Sequence, residues 1–495
     1  MAPSIDHFEL GSAFSSAGDV NGDGVIDVAV ADRSGKVDSK FASGIVHLVN
    51  GTNGLLIRSY TGVPAPSQNF GFSLVALNAD GDGIPDLAVG SPGQKDASGV
   101  HGAGAVRIYA GSNGSLLATI VGPSESQLGS SLANAGDQDG DGRDDLYSGA
   151  PFANGAQGAV MVISSGSASI LETISTPNPV SAFGSTVVCV GDLDGDGLAD
   201  VAIGAPGFRL PNGNPVGQVV LVRSSDSSIV ATTTGAGNST RLGDSLASAA
   251  DANNDGRADL LVGSSSGGTA LIVSGADLTT ITDLSIPLPR AGRRLVVGGS
   301  LDFNNDGVAD WLIGSNALVR NAATLALLGG IRVVSGTDHA TLFELIATAP
   351  NTDLGSSVKV LPGLGMAAGE QSLVDPISHG TGLARVWKVV EIRDADGDGI
   401  NDDVDLVENS IMDPTVAILG ADSGVPNRLD DQGMTLADRF AELGPKSDYS
   451  NPAQYFVTIK QLCEKMVADG LLNPAESKLI SKAAQQSVNN SKANR

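Results

Sequence analysis

Aromatic side chains make up only 4% of the 495 residues, and positive charge is scarcer than negative. Lysine and arginine number 29 against 55 aspartates and glutamates, a formal net charge of −26. Cations this few, gathered into no patch, exclude a nucleic-acid surface. The two cysteines, Cys189 and Cys463, are too few for a disulfide framework, and whether they pair is left open. No apolar run approaches the roughly 18 residues that a spanning helix needs, so no transmembrane segment is expected. The stretch from Met1 to His7 lacks the charged and apolar regions of a secretory leader. Either the chain works inside the cell or a leader has been removed. The five histidines, His7, His47, His101, His339 and His379, show no metal-ligand spacing. There is no Gly-x-Ser-x-Gly elbow, no phosphate-cradling loop and no Cys/His pair in a recognisable context. Glu125, Glu172, Glu344 and Glu370 read as surface residues rather than general acids, and no enzyme is expected.

What the chain does have is glycine, 65 residues of it, and 41% apolar content. That mix suits short strands joined by tight turns. It also writes one acidic nine-residue pattern seven times: Asp/Asn-x-Asp/Asn-x-Asp-Gly-x-x-Asp. The copies are Asp19–Asp27, Asn78–Asp86, Asp137–Asp145, Asp192–Asp200, Asp251–Asp259, Asp302–Asp310 and Asp394–Asp402. The first six recur every 51 to 59 residues, a period that marks a repeat array. Twenty-four of the 55 acidic residues occupy the odd-numbered positions of these loops. The acidity is therefore concentrated at candidate cation sites.

Positions 1, 3, 5 and 9 offer side-chain oxygens, position 7 offers a backbone carbonyl, and Gly at position 6 permits the turn that aims them inward. The first loop supplies Asp19, Asn21, Asp23, Val25 and Asp27, and the second Asn78, Asp80, Asp82, Ile84 and Asp86. The third supplies Asp137, Asp139, Asp141, Arg143 and Asp145, and the fourth Asp192, Asp194, Asp196, Leu198 and Asp200. The fifth supplies Asp251, Asn253, Asp255, Arg257 and Asp259, and the sixth Asp302, Asn304, Asp306, Val308 and Asp310. The seventh supplies Asp394, Asp396, Asp398, Ile400 and Asp402, with Asp405 beyond it. Oxygen-only donors select calcium or magnesium over zinc or copper, and several flexible carboxylates favour calcium. About seven calcium sites are expected, the third and fourth being the tightest. An EF-hand is excluded in the first six, because position 12 is Val30, Val89, Ser148, Ile203, Val262 or Ile313 rather than Glu.

Around the fourth loop the chain reads as four strands: one up to Gly191, then Val201–Gly204, Gly217–Arg223 and Ser228–Thr234. Four-stranded units that cannot bury both faces alone stack radially into a β-propeller. A seventh unit lacks its acidic loop: Leu354–Leu361, Gly365–Glu370 and Leu383–Val390 supply three strands. The expectation is an all-β, seven-bladed propeller over residues 1–393, closed by Ile5–Leu10 as the missing fourth strand. Beyond it come a linker over 394–434 and a small helical region over 435–495. In the latter, Thr435–Leu443, Pro452–Asp469 and a segment from Pro474 read as helices.

Phe183-Gly184, the fourth loop and Gly204-Ala205-Pro206 together resemble the FG-GAP repeat of the integrin alpha N-terminal propeller. Leu128-Gly129 with Gly149-Ala150-Pro151 is nearly as good a match. The resemblance covers about four-fifths of the chain, and the plain, regular blades look more like FG-GAP proteins secreted by bacteria. It implies a seven-bladed propeller with calcium between the first and second strands of a blade. The first unit departs from it with Phe14-Ser15 and Ala31-Asp32-Arg33, and the sixth with Arg294-Leu295 and Gly314-Ser315-Asn316. Pairing with a beta subunit is not carried over. Residues Asp394–Asp405 resemble a thrombospondin type 3 calcium repeat, with a dockerin-like site as the alternative. The functional expectation is a secreted or cell-surface, calcium-stabilised adhesion module for a protein or glycan ligand. The alternatives are a subunit of a calcium-dependent extracellular assembly of like copies, and a propeller hydrolase or lyase.

Overall fold

The computed structural model describes residues 5–6, 9–37, 41–63, 67–176, 178, 181–236, 240–264, 266, 268–286, 294–320, 327–347, 354–370, 383–388, 415–418, 421–426, 440, 452–468 and 471–493. The chain divides into two compact units, Met1–Val389 and Val390–Arg495.

In the first unit each repeat with an acidic loop folds into one antiparallel sheet whose four strands are in sequence order. Blade four is representative: Thr186–Gly191, Asp200–Ala205, Gln218–Val222 and Ile229–Thr234. Thr186 pairs with Gly204, and Gly204 in turn with Val219. The second strand is buried along its whole length, whereas the fourth is largely exposed. The core explains this gradient, because it lies between blades rather than within them. Tyr147, Val160 and Val162 of blade three pack on Val201, Ile203 and Val220 of blade four. A strand sandwiched by two neighbouring sheets is apolar on both faces, and the outermost strand alternates.

The FG and GAP motifs form the joint between neighbours. A side chain on Gly204 would fall on the carbonyl oxygen of Gly243, which opens the next blade. Gly149 stands in the same relation to Gly184, and Gly90 to Gly129. A hydroxyl completes each joint: Ser73 donates to the Gly129 carbonyl at 2.8 Å, Ser131 to Gly184 at 2.9 Å and Thr186 to Gly243 at 2.7 Å. Blades approach to backbone contact here, which only glycine permits.

Six such blades form, and the expectation of seven is corrected. The seventh repeat contributes a sheet of three strands, Ser357–Leu361, Gly365–Glu370 and Leu383–Lys388. The described residues of the amino-terminal segment do not complete it. Leu10 already begins the innermost strand of blade one, Leu10–Gly18, and Ile5–Asp6 pairs with Lys36–Val37 in a small separate sheet. The three-stranded sheet packs on blade one through Phe14, Val28, Val30, Leu361, Leu364 and Ala367. The Ser357 hydroxyl donates to the carbonyl of Gly11, the same joint that links the blades.

In all six blades the pairing of third and fourth strands shifts register at one place, such as Leu48/Val49, Leu221/Val222 and Val333/Val334. The same bulge occurs at Ile108/Tyr109, Val162/Ile163 and Ile272/Val273. It lies just before the turn joining those strands, and a bulge bends the strand and so re-aims that turn.

The second unit contains the helices Pro452–Ala468 and Pro474–Ala493. Ile459, Cys463 and Met466 of the first pack on Ile480 and Ala484 of the second, with Leu472 and Phe440. Asn473 caps the second helix: its Oδ1 accepts the N–H groups of Ala475 and Glu476 at 2.9 and 3.0 Å, and Glu476 accepts that of Asn473 at 2.9 Å. Of the expected helix over Thr435–Leu443, all but Phe440 lies outside the described residues. Both cysteine thiols are free. No helix among the described residues is long and apolar enough to cross a membrane.

Candidate metal centres

Each of the six blade loops joins the first strand to the second, at one end of the propeller. The backbone turns left-handed at position 6, with φ from +81° to +91° at Gly24, Gly83, Gly142, Gly197, Gly256 and Gly307. It does so again at position 4, which is not among the expected ligand or turn positions. Gly22, Gly81, Gly140 and Gly195 stand there at φ +76° to +83°, and Asn254 and Asn305 at +59° and +58°. Glycine and asparagine are the residues that tolerate this region.

The carboxylates are held by backbone N–H groups. Asp192 accepts from Gly195, Asp196 and Gly197 at 2.7, 3.2 and 2.8 Å. Asp137 repeats this with Gly140, Asp141 and Gly142 at 2.7, 3.1 and 2.8 Å. The N–H groups of Gly142 and Gly197 hold these two carboxyls below the usual carboxylate range. The position 5 aspartate accepts the N–H of position 7 in every blade loop, for example Asp82 from Ile84 at 2.7 Å and Asp196 from Leu198 at 2.8 Å.

Position 9 is different in kind. Asp27, Asp86, Asp145, Asp200, Asp259 and Asp310 are fully buried. Each accepts one N–H from position 2 of its own loop and one from the turn between the third and fourth strands. Asp86 accepts from Ala79 and Gly111, both at 2.8 Å, and Asp200 from Leu193 and Ser224 at 2.9 and 2.8 Å. The partners are Val20 and Gly51 for Asp27, Gln138 and Ser165 for Asp145, Ala252 and Gly275 for Asp259, and Phe303 and Gly336 for Asp310. Burial pushes the carboxyls of Asp27, Asp86, Asp145, Asp259 and Asp310 upward, and these N–H groups offset part of that push.

Three loops bring carboxylate oxygens to within 4.8 Å of one another: Asp80, Asp82 and Asp86; Asp137, Asp139 and Asp145; Asp192, Asp194 and Asp200. Oxygens that ligate one calcium at 2.3–2.6 Å are separated by at most about 5 Å, so the donor sets fit a shared hard cation. In the other three loops an asparagine stands at position 3. Asn21 donates to Asp27 at 2.9 Å, Asn253 to Asp255 at 3.0 Å and Asn304 to Asp306 at 3.2 Å. The seventh loop, from Asp394 to Asp402 with Asp405, lies outside the described residues.

The turn beneath each loop also reaches the carboxylates, a contact outside the expectations from the sequence. Asn50 donates to Asp23 at 2.7 Å, Thr337 to Asp306 at 2.6 Å, and Arg223 pairs with Asp194 at 3.2 Å. The repeated Gly-Ser/Thr of Gly51-Thr52, Gly111-Ser112 and Gly336-Thr337 was a visible signal. In blades three, four and five the donor from this turn is instead Ser165, Ser224 or Gly275, and across the six blades the donor lies 16 to 26 residues beyond position 9, which hid the partnership.

The FG-GAP repeat family model matches residues 70–109 and 185–222, the cores of blades two and four. Integrin alpha-5 of Xenopus laevis is 31% identical over 212 residues, covering 39% of this chain and 19% of that protein. Integrin alpha pat-2 of Caenorhabditis briggsae is 30% identical over 228 residues, covering 40% of this chain and 18% of its own length. A phosphatidylinositol-glycan-specific phospholipase D of Mus musculus is 34% identical over 168 residues, covering 31% of this chain and 20% of the enzyme. The chain thus spans a fifth or less of these curated relatives. On fold, motif and similarity alike, the chain carries FG-GAP repeats in an integrin alpha N-terminal-like β-propeller.

Proposed function

We propose that this chain is a calcium-binding, calcium-stabilised propeller that acts outside the cell as a protein-binding, adhesion-type module and not as an enzyme. The observation that carries the reading is the set of all-oxygen aspartate clusters in the loops of blades two, three and four. Asp at positions 1, 3, 5 and 9, with Asn78 at position 1 in blade two, and the position 7 carbonyl would hold the ion. Multidentate carboxylate loops of modest affinity fill at extracellular calcium levels, which supports the location. Similarity to integrin alpha chains supports the binding role. The activity named for the phospholipase relative belongs to that protein.

Thermal unfolding with calcium and with chelator tests the reading. Each site that binds only the folded chain adds about 2.7 kcal/mol at a hundredfold excess over Kd. The expected result is a transition several degrees higher in calcium, with magnesium less effective. A transition that chelator leaves in place defeats the proposal.

A further inference from the structure

The innermost strands of the six blades and the three-stranded sheet enclose a channel of about 480 Å³. In each blade the first strand runs toward the acidic loop and the second runs back. The FG and GAP ends therefore share the mouth opposite the loops. Six strand residues put about 20 Å between the two faces, beyond the Debye length of about 8 Å. The loop acidity is screened at that mouth.

Among the described residues, the charges lining the channel are Arg33, Arg294, Lys359 and one acid, Asp244. Arg33 is held by Glu9 at 2.5 Å, and Asp244 by Arg241 at 3.0 Å. Among the described residues Arg294 and Lys359 have no carboxylate partner, in a chain whose net charge is −26. Lys359 is also out of pattern. It pairs with Ala367 on the innermost strand, where the matching positions in blades two to five are Val75, Ala133, Val188 and Ala247. Its side chain is exposed to the channel, and the surrounding protein pushes the ammonium pKa down. Two large apolar rings flank the entrance, Phe72 at 39% exposure and Phe152 at 49%.

We propose that this mouth binds the carboxylate of an acidic segment in a protein ligand, with Lys359 and Arg294 as its cationic partners and Phe72 and Phe152 packing its apolar flanks. A lone ammonium at the channel wall is stabilised by an anion that enters the mouth, and charge complementarity selects the acidic segment over a basic one. The inference rests on the reading of the chain as a protein-binding module and names the chemistry of its ligand.

The test is titration of the full chain, in calcium, with a fluorescent peptide Gly-Phe-Glu-Phe-Gly capped at both ends, and with its Gln analogue. The Glu peptide is expected to bind, and the Gln analogue to bind about tenfold more weakly or worse. Lys359→Met and Arg294→Gln should each weaken the Glu peptide by a similar factor, and Lys359→Arg should retain it. Each variant must keep the calcium-dependent melting shift of the parent, which reports an intact fold. Failure of the Glu peptide to bind, equal binding of the Gln analogue, or indifference to Lys359→Met overturns the channel site. None of those outcomes touches the melting shift, so the calcium reading stands or falls separately.

Discussion

Asp82 and Asp86 belong to one loop and to two different environments. Asp82 is exposed and accepts one N–H, from Ile84. Asp86 is buried and accepts from Ala79, Asp80 and Gly111, tying the loop to the turn beneath it. Replacing Asp86 by Ala strands three N–H groups, at about 1–3 kcal/mol for each one left without water. Asp86→Ala should therefore lower stability by about 3 kcal/mol even in chelator, as read by urea unfolding. Asp82→Ala should cost under about 1 kcal/mol in chelator and show its loss only as a smaller calcium shift. Equal behaviour of the two variants would contradict the division of roles. The odd-numbered positions were legible because carboxylates at alternate residues have few other uses. Position 4 was not, because Gly22 and Asn254 look unrelated until both are seen at positive φ.

At the scale of the element, the strands of each blade were readable from apolar runs bounded by glycine and proline. The joints between blades were only half readable. Gly204-Ala205-Pro206 marks a strand end in the sequence, but the reason for its glycine is the Gly243 carbonyl of the next blade. A contact between repeats leaves no local signature. Gly204→Ala should force blades four and five apart and cost about 3 kcal/mol. Gly197→Ala in the acidic loop meets no atom within 4 Å and carries only the left-handed strain of about 1–2 kcal/mol. Urea midpoints of the two variants in chelator should fall in that order, and the reverse order would reject the steric account.

For the whole molecule, the repeats are legible in the sequence and the closure is not. Ile5–Leu10 has the length and polarity of a fourth strand, yet Leu10 is spent on the longer first strand of blade one. Which of two sheets claims a residue is decided by tertiary packing and not by pattern. The circle closes instead through Ser357, Gly369 and the Gly11 carbonyl, on which a side chain at Gly369 would fall. Gly369→Ala should thus act far beyond its own sheet, speeding proteolysis of blade one and lowering the propeller melting temperature by several degrees. Unchanged cleavage would show that the joint is not what holds the circle.

The bulge shared by all six outer strands has a consequence for solubility. Among the described residues those strands pair on one side only, and in blades two, three and four they carry exposed Leu116, Leu117, Ile170, Leu171, Ile229 and Val230. A flat edge of that composition would template strands from other molecules. A register break in each of these blades twists the edge, so the three potential sites of fibrous aggregation are blunted by a bulge that lies beside the turn bonded to the acidic loop.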